Sequence, residues 1–194
     1  MRLTKIYTKI GDSGETLLAN GAKIKKSSTR IEAYGTIDEL NSFVGFLKDT
    51  IRETIEDKQN IDSMLYQIQN ELFDIGGELA TPAEIFNPEK QQCINELSIK
   101  RLEDQIDGFN AQIKPLENFI LPGGHKAVSA AHIARTVCRR AEVILVRFIE
   151  EENQCRPILQ KYINRLSDWL FVAGRVITKE SGSEEILWNQ NKKK

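Results

Sequence analysis

Cysteine, histidine and long apolar runs are all scarce in this chain. Its three cysteines, Cys93, Cys138 and Cys155, lie far apart and form no C-x-x-C pair. A sparse, odd set suits a reducing compartment better than a disulfide framework. The two histidines, His125 and His132, are spaced i, i+7, and no E-x-x-H pair occurs, so a di-iron bundle lacks its ligands. There is no Ser/His/Asp signature and no G-x-x-x-x-G-K-[ST] phosphate loop. No apolar stretch approaches the roughly 20 residues of a membrane helix, and the segment from Met1 to Lys5 is too short and polar for a signal peptide. A cytoplasmic location is the resulting expectation, with no membrane partner. Charge of neither sign dominates: Lys and Arg total 27 against 28 Asp and Glu, a net charge of −1. Non-specific nucleic-acid binding therefore has no compositional support.

What is present is enough for one globular domain over all 194 residues, with 40% hydrophobic and 28% charged residues. Residues 1–29 stand apart. Gly11, Gly14 and Gly21 fall within eleven residues, and Arg2, Lys5, Lys9, Lys23, Lys25 and Lys26 face only Asp12 and Glu15. No helical period is visible, so this segment is expected to be a loop, with a short extended piece at Lys5–Thr8.

From residue 30 the pattern becomes helical. Ile31, Tyr34, Ile37, Leu40, Val44, Leu47, Ile51 and Ile55 follow steps of three and four, and Ile61, Met64, Leu65, Ile68, Leu72, Ile75 and Leu79 mark a second helix ending near Thr81-Pro82. Leu97, Leu102, Ile106, Phe109 and Ile113 mark a third, closed before Pro115. A fourth is expected from Gly124 or His125 to Glu152, and a fifth from Pro157 to Glu180, with proline suited to the first turn. The tail, 181–194, ends in three lysines and is expected to fray. The sum is an all-α five-helix bundle over 30–180 with a glycine-containing N-terminal loop laid against it.

On the fourth helix, His132, Arg135, Arg139 and Glu142 occupy i, i+3, i+7 and i+10, which aligns them on one stripe, and Arg140 lies about 100° around from Arg139. Guanidinium forks suit phosphate; a solvated face with an Arg–Glu pair explains the same spacing. On the fifth helix, Asn164, Asp168, Phe171 and Arg175 run beside the apolar stripe, where Asn and Asp need partners. The arginines of helix four or a ligand are the expected ones. The loop Tyr7-Thr8-Lys9-Ile10-Gly11-Asp12-Ser13-Gly14-Glu15-Thr16 can turn its N–H groups inward as an anion nest, or be only a cluster of turns. Leu121-Pro122-Gly123-Gly124 opens helix four, either as an anion site or as a turn that sets its direction.

Four segments in order, YTKIGDSGET (7–16), IEAYGTIDEL (31–40), FILPGG with ARTVCRRAE (119–124, 134–142) and NRLSDWLF (164–171), closely resemble the PduO-type ATP:cob(I)alamin adenosyltransferase family. The resemblance spans about residues 5–180. It implies a cobalamin adenosyltransferase-like bundle that binds ATP, Mg²⁺ and cobalamin and assembles as a homotrimer with inter-subunit active sites. It implies that Thr8, Lys9, Ile10 and Gly11 line the phosphates with Thr16 and Lys26 nearby. Arg139, Arg140, Ala141, Glu142 and Asn164 would complete the nucleotide site, with Glu142 helping to hold the metal. Asp38 and Arg135 resemble an inter-subunit ion pair beside the corrinoid. Phe119 would occupy the lower axial face of the corrin, with Asp168 and Phe171 also on the cobalamin side; Arg135, Asp38, Phe119 and Arg139 are the implied catalytic set. An electron-donating reductase and an adenosylcobalamin-dependent acceptor enzyme are implied partners. The chain departs from the family pattern at Ile10, where threonine is frequent, and at Val143, where arginine is common. Trp188 is the candidate for an aromatic that closes over the corrin in some members. A non-catalytic escort or sensor bundle that binds nucleotide or corrinoid is the alternative.

Overall fold

The computed structural model describes residues 7, 9–55, 60–152 and 155–189. Five helices carry the fold: α1 (Thr29–Thr54), α2 (Ile61–Leu79), α3 (Glu96–Asn110), α4 (Lys126–Glu152) and α5 (Pro157–Glu180). Local chemistry sets their ends. The Ser28 hydroxyl accepts the Ile31 N–H at the start of α1, and Glu32 sits in its first turn, where a negative charge is favoured. Asn95 and Ser98 form a reciprocal capping box on α3. Pro157 opens α5, where its missing N–H costs nothing.

Helix α1 packs on α2 and α4, and α5 on α4 and α3, so the spatial order is α2–α1–α4–α5–α3. The seam between α4 and α5 is close because small residues line it: Ala127, Ala130, Ala131, Ala134, Cys138 and Ala141 are all buried. The Cys138 thiol donates to the Ile163 carbonyl at 3.3 Å, and burial pushes its pKa up, so it stays a thiol. A polar cluster joins α2, α3 and α5. The fully buried Tyr162 hydroxyl donates to Glu71 at 2.6 Å, Arg101 pairs with the same carboxylate, and Trp169 Nε1 donates to Gln105 at 2.8 Å.

Two short antiparallel pairs were not expected from the sequence. In the N-terminal segment, a 3-10 turn (Ile10–Ser13) leads into a hairpin of β1 (Glu15–Leu17) and β2 (Lys23–Lys25), with Glu15 opposite Lys25. The Ala19 N–H donates to the Ala80 carbonyl and ties the hairpin to the end of α2. The extended piece expected at Lys5–Thr8 lies outside the described residues except for Tyr7.

The second pair corrects the expectation of a frayed tail. β3 (Ile120–Leu121) pairs with β4 (Ile186–Leu187). Arg175, buried on α5, donates to Glu185 at 2.6 Å and to the Lys114 carbonyl at 2.8 Å, which fastens the tail to the bundle. Residues 190–194 lie outside the described residues. No helix among the described residues is long and apolar enough to cross a membrane.

Candidate functional site

The seam of α4 and α5 gathers the predicted polar stripe. Glu142 and Asn164 meet across it: Asn164 Nδ2 donates to Glu142 Oε1 at 2.7 Å. The Nδ2 donor of Asn164 thus meets a carboxylate of α4 rather than one of its arginines, and its Oδ1 keeps acceptor capacity for a ligand. Beside the pair opens a groove of about 690 Å³ between α3 and α5, lined in part by Lys100, Glu142, Lys161, Asn164 and Arg165. Ala141, predicted at the nucleotide, is buried in the seam at 1% exposure and can offer only backbone there.

The arginines of α4 differ in their company. Arg140 reaches back to α1 and pairs with Glu39 at 2.5 Å, so its charge is already balanced within the chain. Arg139 is exposed and has no ion-pair or hydrogen-bond partner among the described residues. Arg135 is half-buried; its Nε donates to His132 Nδ1 at 3.3 Å, and no carboxylate of the described residues pairs with it. Burial, and then the nearby Arg139 charge, lower the Arg135 pKa, as befits a cation without a counter-charge. Asp38, on α1, is exposed and makes no ion pair among the described residues. The chain therefore does not bring Asp38 and Arg135 together.

The residues expected on the corrinoid side form two groups. Phe171 lies edge-on to His132, with ring centres 6.2 Å apart, and Asp168 pairs with Arg165 of its own helix at 3.2 Å. Phe119, 69% exposed, heads β3. Its carbonyl accepts the Trp188 N–H at 2.7 Å, and the two rings meet edge-to-face at 5.9 Å. Asn118 braces the junction: its Nδ2 donates to the Trp188 carbonyl, and its Oδ1 accepts the Phe119 N–H.

The tail also explains the two glycines that follow. A Cβ on Gly124, at φ 91°, would stand 3.2 Å from the Glu184 carbonyl, and one on Gly123, at φ 145°, 3.3 Å from Ile186 Cδ1. The helix start itself is capped from within, the Ala127 N–H donating to His125 Nδ1 at 3.2 Å. The turn reading of Pro122-Gly123-Gly124 accounts for these contacts.

In the N-terminal segment, Lys9 adopts a left-handed backbone at φ 62°, a conformation that costs a non-glycine residue about 1–3 kcal/mol. The exposed Lys26 ammonium lies against Gly11, where a Cβ would come within 2.7 Å of Nζ. That ammonium is the free end of a flexible, exposed side chain, so the contact brings Lys26 to the loop without by itself requiring glycine at 11. Ile10 lies in the 3-10 turn, Thr16 is half-buried in β1, and Thr8 lies outside the described residues. Among the described residues, no hydrogen bond or ion pair joins 9–28 to α4 or α5.

A five-helix bundle with this loop and this arginine stripe has known counterparts. A family model described as cobalamin adenosyltransferase matches residues 6–177. The chain belongs to the cobalamin adenosyltransferase family. It is 42% identical over 189 residues to the corrinoid adenosyltransferase of Bacillus subtilis, covering 96% of this chain and 93% of that protein. It is 36% identical over 196 residues to the corrinoid adenosyltransferase MMAB of Mus musculus, covering 98% and 79%. Among solved structures, a phenylalanine-to-alanine variant of a PduO-type ATP:corrinoid adenosyltransferase from Lactobacillus reuteri, complexed with cobalamin and ATP, superposes with a TM-score of 0.85. The two chains are 36% identical, and the match covers 96% of this chain and all of that one. An arginine-to-lysine variant of the Lactobacillus protein complexed with ATP gives the same score at 38% identity, covering 95% and 100%.

Sequence reasoning found the stripe but missed Glu39, Glu185 and the tail pairing. Glu39 had a signal, since it follows Asp38 in a quoted motif. Glu185 had none, because ten residues and a turn separate it from Arg175.

Proposed function

We propose that this chain transfers the 5′-deoxyadenosyl group of ATP to the cobalt of a reduced cobalamin. The electron pair of Co(I) forms the bond to C5′, the C5′–O bond breaks, and its electrons leave with triphosphate. The observation that carries the reading is the pair of guanidinium groups of Arg135 and Arg139, which share one face of α4 with no carboxylate among the described residues paired to either. Such a face favours a polyanion. Co(I) is itself a strong nucleophile, so the protein's task is alignment and charge stabilisation rather than activation.

In this reading Arg139, with Lys9, Gly11, Lys26 and the segment's Thr8, Ile10 and Thr16, would hold the triphosphate. Asn164, Glu142 and the Ala141 backbone would hold the nucleoside end, with Arg140 lending charge from its pair with Glu39. Asp38, Phe119, Arg135, Asp168 and Phe171 would hold the corrin. No cluster of three or more potential metal ligands exists among the described residues, and Glu142 offers one carboxylate with an oxygen already on Asn164. That donor set fits a Mg²⁺ held mainly by phosphate oxygens, with Glu142 as its protein ligand. The ion, when bound, supplies charge neutralisation at the phosphates.

Asp38 and Arg135, without an ion-pair partner among the described residues, and the lack of links among those residues from 9–28 to the stripe support a homotrimer whose sites lie between subunits. One copy would lend its loop and Asp38, the next its α4 and α5. An electron-donating reductase would supply reduced cobalt, and an adenosylcobalamin-dependent enzyme would take the product. We assign the reaction to the cytoplasm.

The deciding experiment mixes protein, ATP, Mg²⁺ and chemically reduced cobalamin and follows the visible spectrum. Replacement of the Co(I) bands by those of the Co–C product is expected. ATP binding without that replacement would favour the escort or sensor reading instead. Phe119 has a narrower test. A hydrophobic wedge at the lower axial face removes a donor and eases reduction of cobalt. Phe119→Ala should keep ATP affinity and lose about tenfold or more of turnover from cob(II)alamin with a reductant; unchanged turnover removes Phe119 from the mechanism.

A further inference from the structure

We infer that His132 is a positioning residue for Arg135: its Nδ1 takes the Nε–H of the guanidinium and leaves the two terminal nitrogens free to face the proposed inter-subunit site. The inference rests on the reading of Arg135 as a corrinoid-side residue.

His132 sits one turn before Arg135 on α4, with 4% of its surface exposed. The Arg135 Nε donates to its Nδ1 at 3.3 Å. A ring that accepts at Nδ1 carries its proton at Nε2 when neutral. That nitrogen is buried with no hydrogen-bond partner among the described residues, 3.9 Å from where a Cβ on Gly174 would stand. Phe171 closes another side, edge-on at 6.2 Å. The ring is therefore held by α5, and Arg135 by the ring. Burial, and then the Arg135 charge, depress the His132 pKa, so the ring stays uncharged and able to accept.

Two features separate this from an ordinary core histidine. An apolar side chain would fill the same space without leaving a buried N–H unpaired. A carboxylate at 132 would orient Arg135 equally well but would cancel its charge. A neutral acceptor fixes the direction of the guanidinium and leaves its charge for what is proposed to meet it across the subunit boundary, Asp38 of a neighbouring copy and the corrinoid. Phe171, also on the corrinoid side, shares the ring and would feel its loss.

The test uses the full chain and four variants. Cob(II)alamin is titrated in the presence of saturating ATP and followed by its visible spectrum; ATP binding is measured separately by calorimetry. His132→Phe keeps ring volume and removes the acceptor. It should weaken cob(II)alamin binding about tenfold and leave ATP binding within about twofold. His132→Asn places Oδ1 where Nδ1 was and should recover most of the loss. In the double variant with Arg135→Ala, the two effects should fail to add. Should His132→Phe not fold, His132→Gln, whose amide lies one bond further out, takes its place with the same ordering expected. Wild-type binding by His132→Phe overturns the inference, as does a His132→Asn no better than His132→Phe. If Arg135→Ala alone binds cob(II)alamin as the wild type does, the reading of Arg135 falls and this inference with it. If Arg135→Ala is weakened and His132→Phe is not, only the role of His132 falls.

Discussion

Burial and the adjacent guanidinium both favour uncharged His132, so the folded chain binds its proton less readily than the unfolded chain does. The unfolded value lies near 6.5. Above that value neither state is charged, and the residue has no pH-dependent effect. As pH falls below it, the unfolded chain takes up the proton first and stability is lost. Urea unfolding at pH 7.5 and 5.5 should therefore show a larger drop for the wild type than for His132→Phe, whose profile lacks this contribution. An equal drop in both would mean that the ring is solvated in the folded chain. At the same scale, spacing made the stripe of His132, Arg135, Arg139 and Glu142 legible, because a helix has one period. Partner choice was not legible. Arg140 pairs with Glu39, and Asn164 with Glu142, because of how α4 meets α1 and α5. A linear pattern carries no record of those crossing positions.

At the scale of elements, α1, α2, α4 and α5 could be read to within a residue or two, since each repeats its apolar period over five turns or more. Helix α3 closes at Asn110, and Ile113, assigned to it by period, lies beyond its end. The strands were invisible because two or three residues are too few to show alternation. What holds β4 is its pairing with β3, the Trp188–Phe119 junction and the Arg175–Glu185 ion pair rather than a sequence pattern. Glu185→Ala would leave the buried Arg175 guanidinium with only the Lys114 carbonyl, a loss of about 1–3 kcal/mol in local stability. Faster hydrogen exchange at Ile186 and Leu187 and lower turnover are expected, with ATP affinity unchanged. Unaltered exchange would show that strand pairing alone suffices.

At the scale of the molecule, the order α2–α1–α4–α5–α3 sets Asp38 and the α4 stripe on adjoining elements that do not join them within one copy. The family and its fold were legible from the motifs. The proposed sharing of a site between copies would belong to association, which a single chain's pattern does not record. Light scattering should give three times the mass of one chain, and Asp38→Ala and Arg135→Ala should each lower corrinoid turnover more than ATP affinity. A monomer that turns over normally would refute the shared site.

Ile186 follows Leu121 by 65 residues, with α4 and α5 between them. During synthesis the segment that bears Phe119 emerges long before the strand that seats it. The β3–β4 pair must wait for that last strand, and a chain cut after α5 would lose the wall behind the Phe119 ring.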